Sequence, residues 1–225
     1  MKKLLLTSLL SLGLTSGLFA DNIVLSSVNG GGAIGSTFVN FDSLALGNGA
    51  QSTGGVNVWF TGSGQVVQGT VSNQYAAPFL SGNNGVGFGS PNQPDGADTT
   101  KYLSAGTGTV TLDFGSAQKY LGLLWGSVDN YNSLWFYNGA SLVGTFTGVD
   151  VWAAANGNQG AAGTFYVNFN DLDGAFTKIV LGSTINSFEI DNVAFDSSNH
   201  VPDSSSSVLL VGLGLIGLAA LRRKS

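Results

Sequence analysis

Cysteine does not occur in this chain. Its absence excludes a disulfide scaffold, a cysteine-ligated zinc finger and thiol catalysis. Charge is scarce too: Asp, Glu, Lys and Arg make up 9 % of 225 residues, where a typical domain carries about a quarter. Basic residues crowd the ends. Lys2 and Lys3 open the chain, Arg222, Arg223 and Lys224 close it, and only Lys101, Lys119 and Lys178 lie between. Residues 21–200 set those three lysines against twelve acids, a net charge of −9. Such a surface repels phosphate backbones, which excludes nucleic acid as a partner. Low charge combined with 43 % apolar residues excludes a disordered acidic chain.

Catalytic residue types are equally sparse. His200 is the only histidine and Glu189 the only glutamate. A Ser-His-Asp triad needs a histidine packed in a cleft, and His200 lies in the C-terminal tether, so no triad is expected. The glycine clusters at 62–64 and 85–89 precede neither a helix start nor a P-loop lysine, which excludes a nucleotide loop. Thr109/Thr111 and Thr145/Thr147 are isolated pairs, not the regular threonine array that ice binding wants.

The two ends read as addresses. Lys2 and Lys3, an apolar stretch from Leu4 to Leu14, and Gly17-Leu18-Phe19-Ala20 form a secretory signal over residues 1–20. Signal peptidase would cut between Ala20 and Asp21. At the other end, Val201-Pro202-Asp203-Ser204 precedes an apolar run from Val208 to Leu221 and the basic tail 222–225. As a helix, residues 208–221 span about 21 Å, short of a ~30 Å hydrocarbon core. Such a marginal helix suits a segment that is later removed. Basic residues after it stay cytoplasmic, so the body faces outward.

This three-part tail resembles the VPDSG-CTERM variant of PEP-CTERM sorting signals, with Ser205 where that pattern has glycine. The resemblance implies an exosortase, a membrane cysteine transpeptidase of Gram-negative-type bacteria, that cuts near Val201, Pro202, Asp203 and Ser204. It implies a precursor held transiently in the inner membrane, then released to the cell surface or extracellular matrix of a biofilm.

Between the ends, short apolar runs alternate with Gly, Asn, Ser and Thr clusters, and no helical stripe is evident. Val110, Leu112 and Phe114 alternate with polar neighbours, as do Phe165, Val167 and Phe169. Tyr120 to Trp125 is continuously apolar, as expected of a strand covered on both faces. Lys178–Leu181 and Ser187–Phe195 read as strands; 54–60, 65–71 and 100–104 are weaker. The expectation is all-β: a single antiparallel β-sandwich, jelly-roll-like, over residues 21–196, with a tether over 197–207.

Two local inferences follow. Asn138-Gly139 predicts a two-residue type I′ hairpin turn, placing Tyr137 opposite Ala140 and Trp135 opposite Leu142. Trp135, Tyr137, Leu142 and Phe146 then share one face, and Leu134, Phe136 and Val143 the other. In the last strand Phe188 and Ile190 point one way by parity, while Val193 and Phe195 point the other. A β-bulge at Asp191-Asn192 would restore one inward face.

The body also resembles domains that accompany such tags, through Phe41–Leu44, Gly122–Asn132 and Phe188–Phe195. The resemblance implies a sandwich akin to carbohydrate-binding modules, in which a late-strand acid helps to hold structural calcium. Asp42, Glu189 and Asp191 are the implied ligands; Asp129, Asp150, Asp171 and Asp173 add oxygen donors. Glu189 and Asp191, ~7 Å apart on a regular strand, also have the separation of glycosidase carboxylates, although alternating acids usually form a wet face. Tyr131 and Trp152, in polar Gly/Asn-rich surroundings, are the candidate glycan platforms for an exopolysaccharide. The expected function is a non-enzymatic surface or matrix protein, with a carbohydrate-binding module and a glycan-active enzyme as alternatives.

Overall fold

The computed structural model describes residues 22–26, 31–88, 92–170, 172 and 174–200. The signal cleavage residues Ala20 and Asp21, the sorting motif Val201–Ser204, the apolar run 208–221, and Asp171 and Asp173 lie outside the described residues. Among the described residues no helix is long and apolar enough to cross a membrane.

The chain is all-β. In order the strands are β1 (Asn22–Ser26), β2 (Thr37–Val39), β3 (Gln51–Thr53), β4 (Val56–Thr61), β5 (Gln65–Gln68), β6 (Phe79–Leu80), β7 (Gly96–Ala97), β8 (Lys101–Ser104), β9 (Thr109–Gln118), β10 (Tyr120–Gly126), β11 (Asn132–Asn138), β12 (Ser141–Thr147), β13 (Phe165–Asn170), β14 (Phe176–Ser183) and β15 (Glu189–Asp196). One helical turn, α1 (Gly148–Val151), follows β12. The first sheet runs β1-β13-β10-β15-β8-β5, with β2 also pairing β15; the second runs β12-β11-β14-β9-β4-β3. Every pairing is antiparallel.

Alternation explains how the sheets meet. Val110, Leu112 and Phe114 of β9, Leu121, Leu123 and Trp125 of β10, Val167 and Phe169 of β13, and Ile190, Val193 and Phe195 of β15 join one core drawn from both sheets. Phe136 sits in it with ring centroids 5.6 Å from Phe146, 5.2 Å from Phe169 and 5.1 Å from Phe176. The continuous apolar run of β10 is explained as expected, by cover on both faces. Its outward residues Tyr120 and Leu124 pack with Leu80, Phe88, Tyr166 and Ala194 in a second cluster. Val67, Ala77 and Tyr102 form a third, with Tyr75 against it. Residues 69–88 and 92–100, which contain the β6–β7 ribbon, thus close the outer face of the first sheet. Gly122 makes room for the two tyrosines that lie over it on the sheet, because a Cβ there would stand 2.4 Å from the Tyr120 hydroxyl and 2.8 Å from the Tyr166 ring.

The hairpin β11–β12 forms, but its register differs from the expectation. Asn138 pairs Ser141 and Tyr137 pairs Leu142, so the two turn residues are Gly139, at φ +59°, and Ala140. The register then shifts, with Phe136 opposite Gly144 and Leu134 opposite Phe146. Val143 is the additional residue. This bulge moves Phe146 to the core face beside Leu134 and Phe136, where burying a phenylalanine outweighs a regular ladder. Trp135 and Tyr137 are half-buried on the outer face, and Leu142 is 54 % exposed.

Phe136→Ala should lower stability by roughly 3–5 kcal/mol, because it empties the junction of three other phenylalanines. Leu142→Ser should stay within about 0.5 kcal/mol of the parent. Urea unfolding midpoints check both.

Candidate functional site

The bulge in β15 is present at the expected place and organises the site. On β10, Gly122 pairs Ala194 and Leu124 pairs Asp191, so two steps of β10 face three of β15. Asn192 takes φ +52°, the left-handed region that asparagine tolerates better than most residues. The bulge also divides the other edge of β15: β8 pairs Glu189 and Ile190, while β2 pairs Val193 to Phe195. Ile190 points into the core, so Glu189 and Asp191 point to the outer face, beneath residues 69–88 and 92–100. Both are buried, at 1 % and 0 % exposure.

They belong to different polar groups. Glu189 closes the floor of a cleft of about 160 Å³, whose walls include Gln74, Ser127, Asp129, Tyr131 and Asn186. Its carboxylate accepts from the Ala76 amide at 3.0 Å and the Ser127 hydroxyl at 2.6 Å. Burial pushes the Glu189 carboxyl up to about 7, with Asp129's charge adding to the shift and the two hydrogen bonds opposing it. Burial also raises Asp129, against a hydrogen bond with Tyr131. The loop that presents Ser127, Asp129 and Tyr131 is bracketed by Asn132, which is fully buried. Its carbonyl oxygen accepts from the Asp129 amide at 3.1 Å, and its amide donates to Ser183 Oγ and the Ser187 carbonyl. The cleft is therefore lined by amide, hydroxyl and carboxyl groups, with two aromatic rings, Tyr75 and Tyr131, on its wall. Such a surface can hydrogen-bond a small neutral polyol.

Asp191 lies in a second group with Gln93, Asp98, Thr100 and Asn192. Gln93 Nε2 donates to Asp191 Oδ2 at 3.2 Å and to Thr100 Oγ1 at 2.6 Å. Asn192 Nδ2 donates to Gln93 Oε1. Asp98 Oδ1 accepts from the amide and hydroxyl of Thr100, at 2.7 and 2.6 Å. Burial first, and the adjacent Asp98 carboxyl second, drive the Asp191 carboxyl well above its ordinary range.

The remaining sequence candidates separate from these groups. Asp42 holds its own loop: its carboxylate accepts from Asn40 Nδ2 at 2.9 Å and from the Lys101 amide at 3.2 Å. Lys101 Nζ binds the carbonyls of Asp42 and Leu44. The implied set of Asp42, Glu189 and Asp191 is thus distributed over three hydrogen-bond groups. Trp152 packs on Phe165 at 5.7 Å and does not line the cleft that holds Tyr131. Asp150 accepts from the amide and hydroxyl of Thr147, both at 2.7 Å, and starts α1. His200 Nε2 lies 3.4 Å from Ser36 Oγ and 3.3 Å from Asp196 Oδ2. A triad needs opposite ring nitrogens for serine and aspartate; here one nitrogen meets both, so the arrangement is a clasp on the chain end. Sequence reasoning missed Gln93, Asp98 and Ser127, which carry no motif and reach β15 only through the fold.

Residues 200–225 match the family model of the VPDSG-CTERM motif. The chain therefore carries this C-terminal sorting signal, directly after the last described residues of the body. No curated protein matches the chain.

Glu189→Gln keeps an acceptor for Ala76 and removes the titration. In the parent the folded chain retains a proton that the unfolded chain loses above about pH 4.5. Stability from this group is complete below that pH and is lost as pH rises towards 7, by up to about 1.4 kcal/mol per unit. Asp191 adds a slope of the same sign. Urea midpoints at pH 5 and 7.5 should fall less in Glu189→Gln than in the parent; equal falls would contradict a raised Glu189.

Proposed function

We propose that the chain is an exported precursor, sorted by an exosortase, whose body acts at the cell surface or in the extracellular matrix as a non-enzymatic structural or adhesive protein. The observation that carries this reading is the VPDSG-CTERM match over residues 200–225. The order of parts agrees with it: a signal-like leader, a body, then the motif, an apolar run and a basic tail. We read the body as a jelly-roll-like sandwich from its two antiparallel sheets and shared core. Absence of enzymatic activity is supported by the separation of the acids. Both Glu189 oxygens already accept hydrogen bonds, and Asp191 is sealed in the neighbouring group.

The leader and apolar tail make the precursor an inner-membrane protein with its body outside. Cleavage near Val201–Ser204 would then free the body. Deleting the cognate exosortase should retain the protein in the membrane fraction; an unchanged distribution between membrane, surface and medium would overturn the sorting role.

The cleft favours a second reading, an exopolysaccharide-binding module. Tyr131 beside Asp129, Glu189 and several amides is the combination that binds sugar hydroxyls while an apolar ring face meets the pyranose. Tyr131→Ala should then lose retardation in affinity electrophoresis through the producing cell's own exopolysaccharide. Identical mobility of parent and variant would remove this reading.

A further inference from the structure

The two sheets differ on their outer faces. The first is covered, whereas the second keeps Trp59 42 % and Leu142 54 % exposed. Register aligns the outward residues of the second sheet in rows across its strands. Trp59 on β4 stands in line with Thr111 on β9, Val180 on β14 and Trp135 on β11. The adjacent row sets Asp113 beside Lys178, with Tyr137 beyond it. Gly182 lets the Trp135 ring lie down on the sheet, because a Cβ there would stand 2.7 Å from the indole. Tryptophan and tyrosine are the residues that protein interfaces favour. Asp113 and Lys178 are the only charges in these rows, one of each sign, in a body of net charge −9. Although they are cross-strand partners, they form no ion pair with each other. Lys178 Nζ lies over the Tyr137 ring, 5.3 Å from its centroid, and Asp113 Oδ1 accepts from the Gly115 amide at 2.8 Å. Elsewhere two such acidic bodies repel each other; here they meet without net charge.

We infer that the outer face of the second sheet is a self-association surface, on which a second copy of the chain packs sheet to sheet. The strand order makes the face complementary to itself. β14 and β9 are the central pair of the order β12-β11-β14-β9-β4-β3. A two-fold axis running along the strands between them sets β14 over the partner's β9, and β11 over the partner's β4. Lys178 of each copy then meets the partner's Asp113, and Trp59 meets the partner's Trp135. Isologous contacts of this kind close at two copies. Twisted sheets pack in this way ~10 Å apart and within about 30° of alignment. Six strands and five residues along each give roughly 500 Å² per copy, so the pair buries about 1,000 Å², the lower bound for a specific interface. The dimer is therefore weak and forms where the protein is concentrated, as at a surface or in a matrix. The inference concerns a face that neither the sorting signal nor the Tyr131 cleft uses.

The test is sedimentation velocity on the protein recovered from producing cells, in a mild non-ionic detergent, over about 1–200 μM, the range in which so small an interface associates. The parent should pass from monomer to dimer as concentration rises. Trp59→Ser, at an exposed position that the core does not need, should raise the dissociation constant about tenfold or more. Lys178→Asp should do the same by setting like charges face to face, and the double variant Asp113→Lys/Lys178→Asp should restore the dimer. Near-UV circular dichroism checks that each variant keeps the fold. A parent that stays monomeric would overturn the surface, as would association that Trp59→Ser leaves unchanged. A double variant no more associated than Lys178→Asp would overturn the two-fold pairing. A monomeric parent that hydroxyethylcellulose retards in affinity electrophoresis, with retardation lost in Trp59→Ser, would assign the face to a polysaccharide chain instead.

Discussion

One extra residue in the last strand sets the character of this molecule. Without the bulge at Asp191-Asn192, a strict two-residue period could not place Ile190, Val193 and Phe195 in one core. With it, Ile190, Val193 and Phe195 all turn inward, and two successive polar side chains turn outward together. The same point is where β8 stops pairing with β15 and β2 begins. Apolar burial thus imposes a polar shelf on the opposite face. The rest of the outer layer answers that constraint.

The answer is the long segment between β5 and β8. It brings Ala76 to Glu189, and Gln93 and Asp98 to Asp191, while Tyr75, Ala77, Leu80 and Phe88 supply the apolar contacts that hold it down. Covering the acids raises the cost of ionising them, which pushes the Glu189 carboxyl up to about 7 and the Asp191 carboxyl well above its ordinary range. The two carboxyls sit on one strand yet meet different chemistry. Glu189 opens to a cleft with Tyr131 and Asp129, whereas Asp191 is enclosed with Asp98.

What could be read from the residues divides along the same line. Strands β9, β10, β13, β14 and β15 are visible as alternation or as a continuous apolar run, because core burial writes itself at short range. The β15 bulge is legible for the same reason, as a break in parity. The β11–β12 hairpin is legible as a hairpin, but its register is not. Val143 is an additional residue beside Gly144, and only the packing of Phe146 against Phe136 reveals which position absorbs it. The short strands β2, β3, β6 and β7 hold two or three residues each and show no period. Asp98 and Gln93 were beyond reach because they meet β15 across more than ninety residues of chain, through a segment without regular pattern. Tyr131 was found in its polar setting, while Trp152 in a similar setting turned onto Phe165.

Function in this chain is divided between a body and an address. The body ends in a clasp, with His200 against the Tyr120 ring and Asp196, immediately before the motif at Val201. Both sheets and all three apolar clusters are built from described residues that precede this motif. Intact mass of the protein recovered from the envelope and from culture medium tests this division most directly. The account predicts a species that begins at Asp21 and ends near Ser204. A mature species that retains residues 208–225 would contradict it and make the chain a permanently anchored membrane protein.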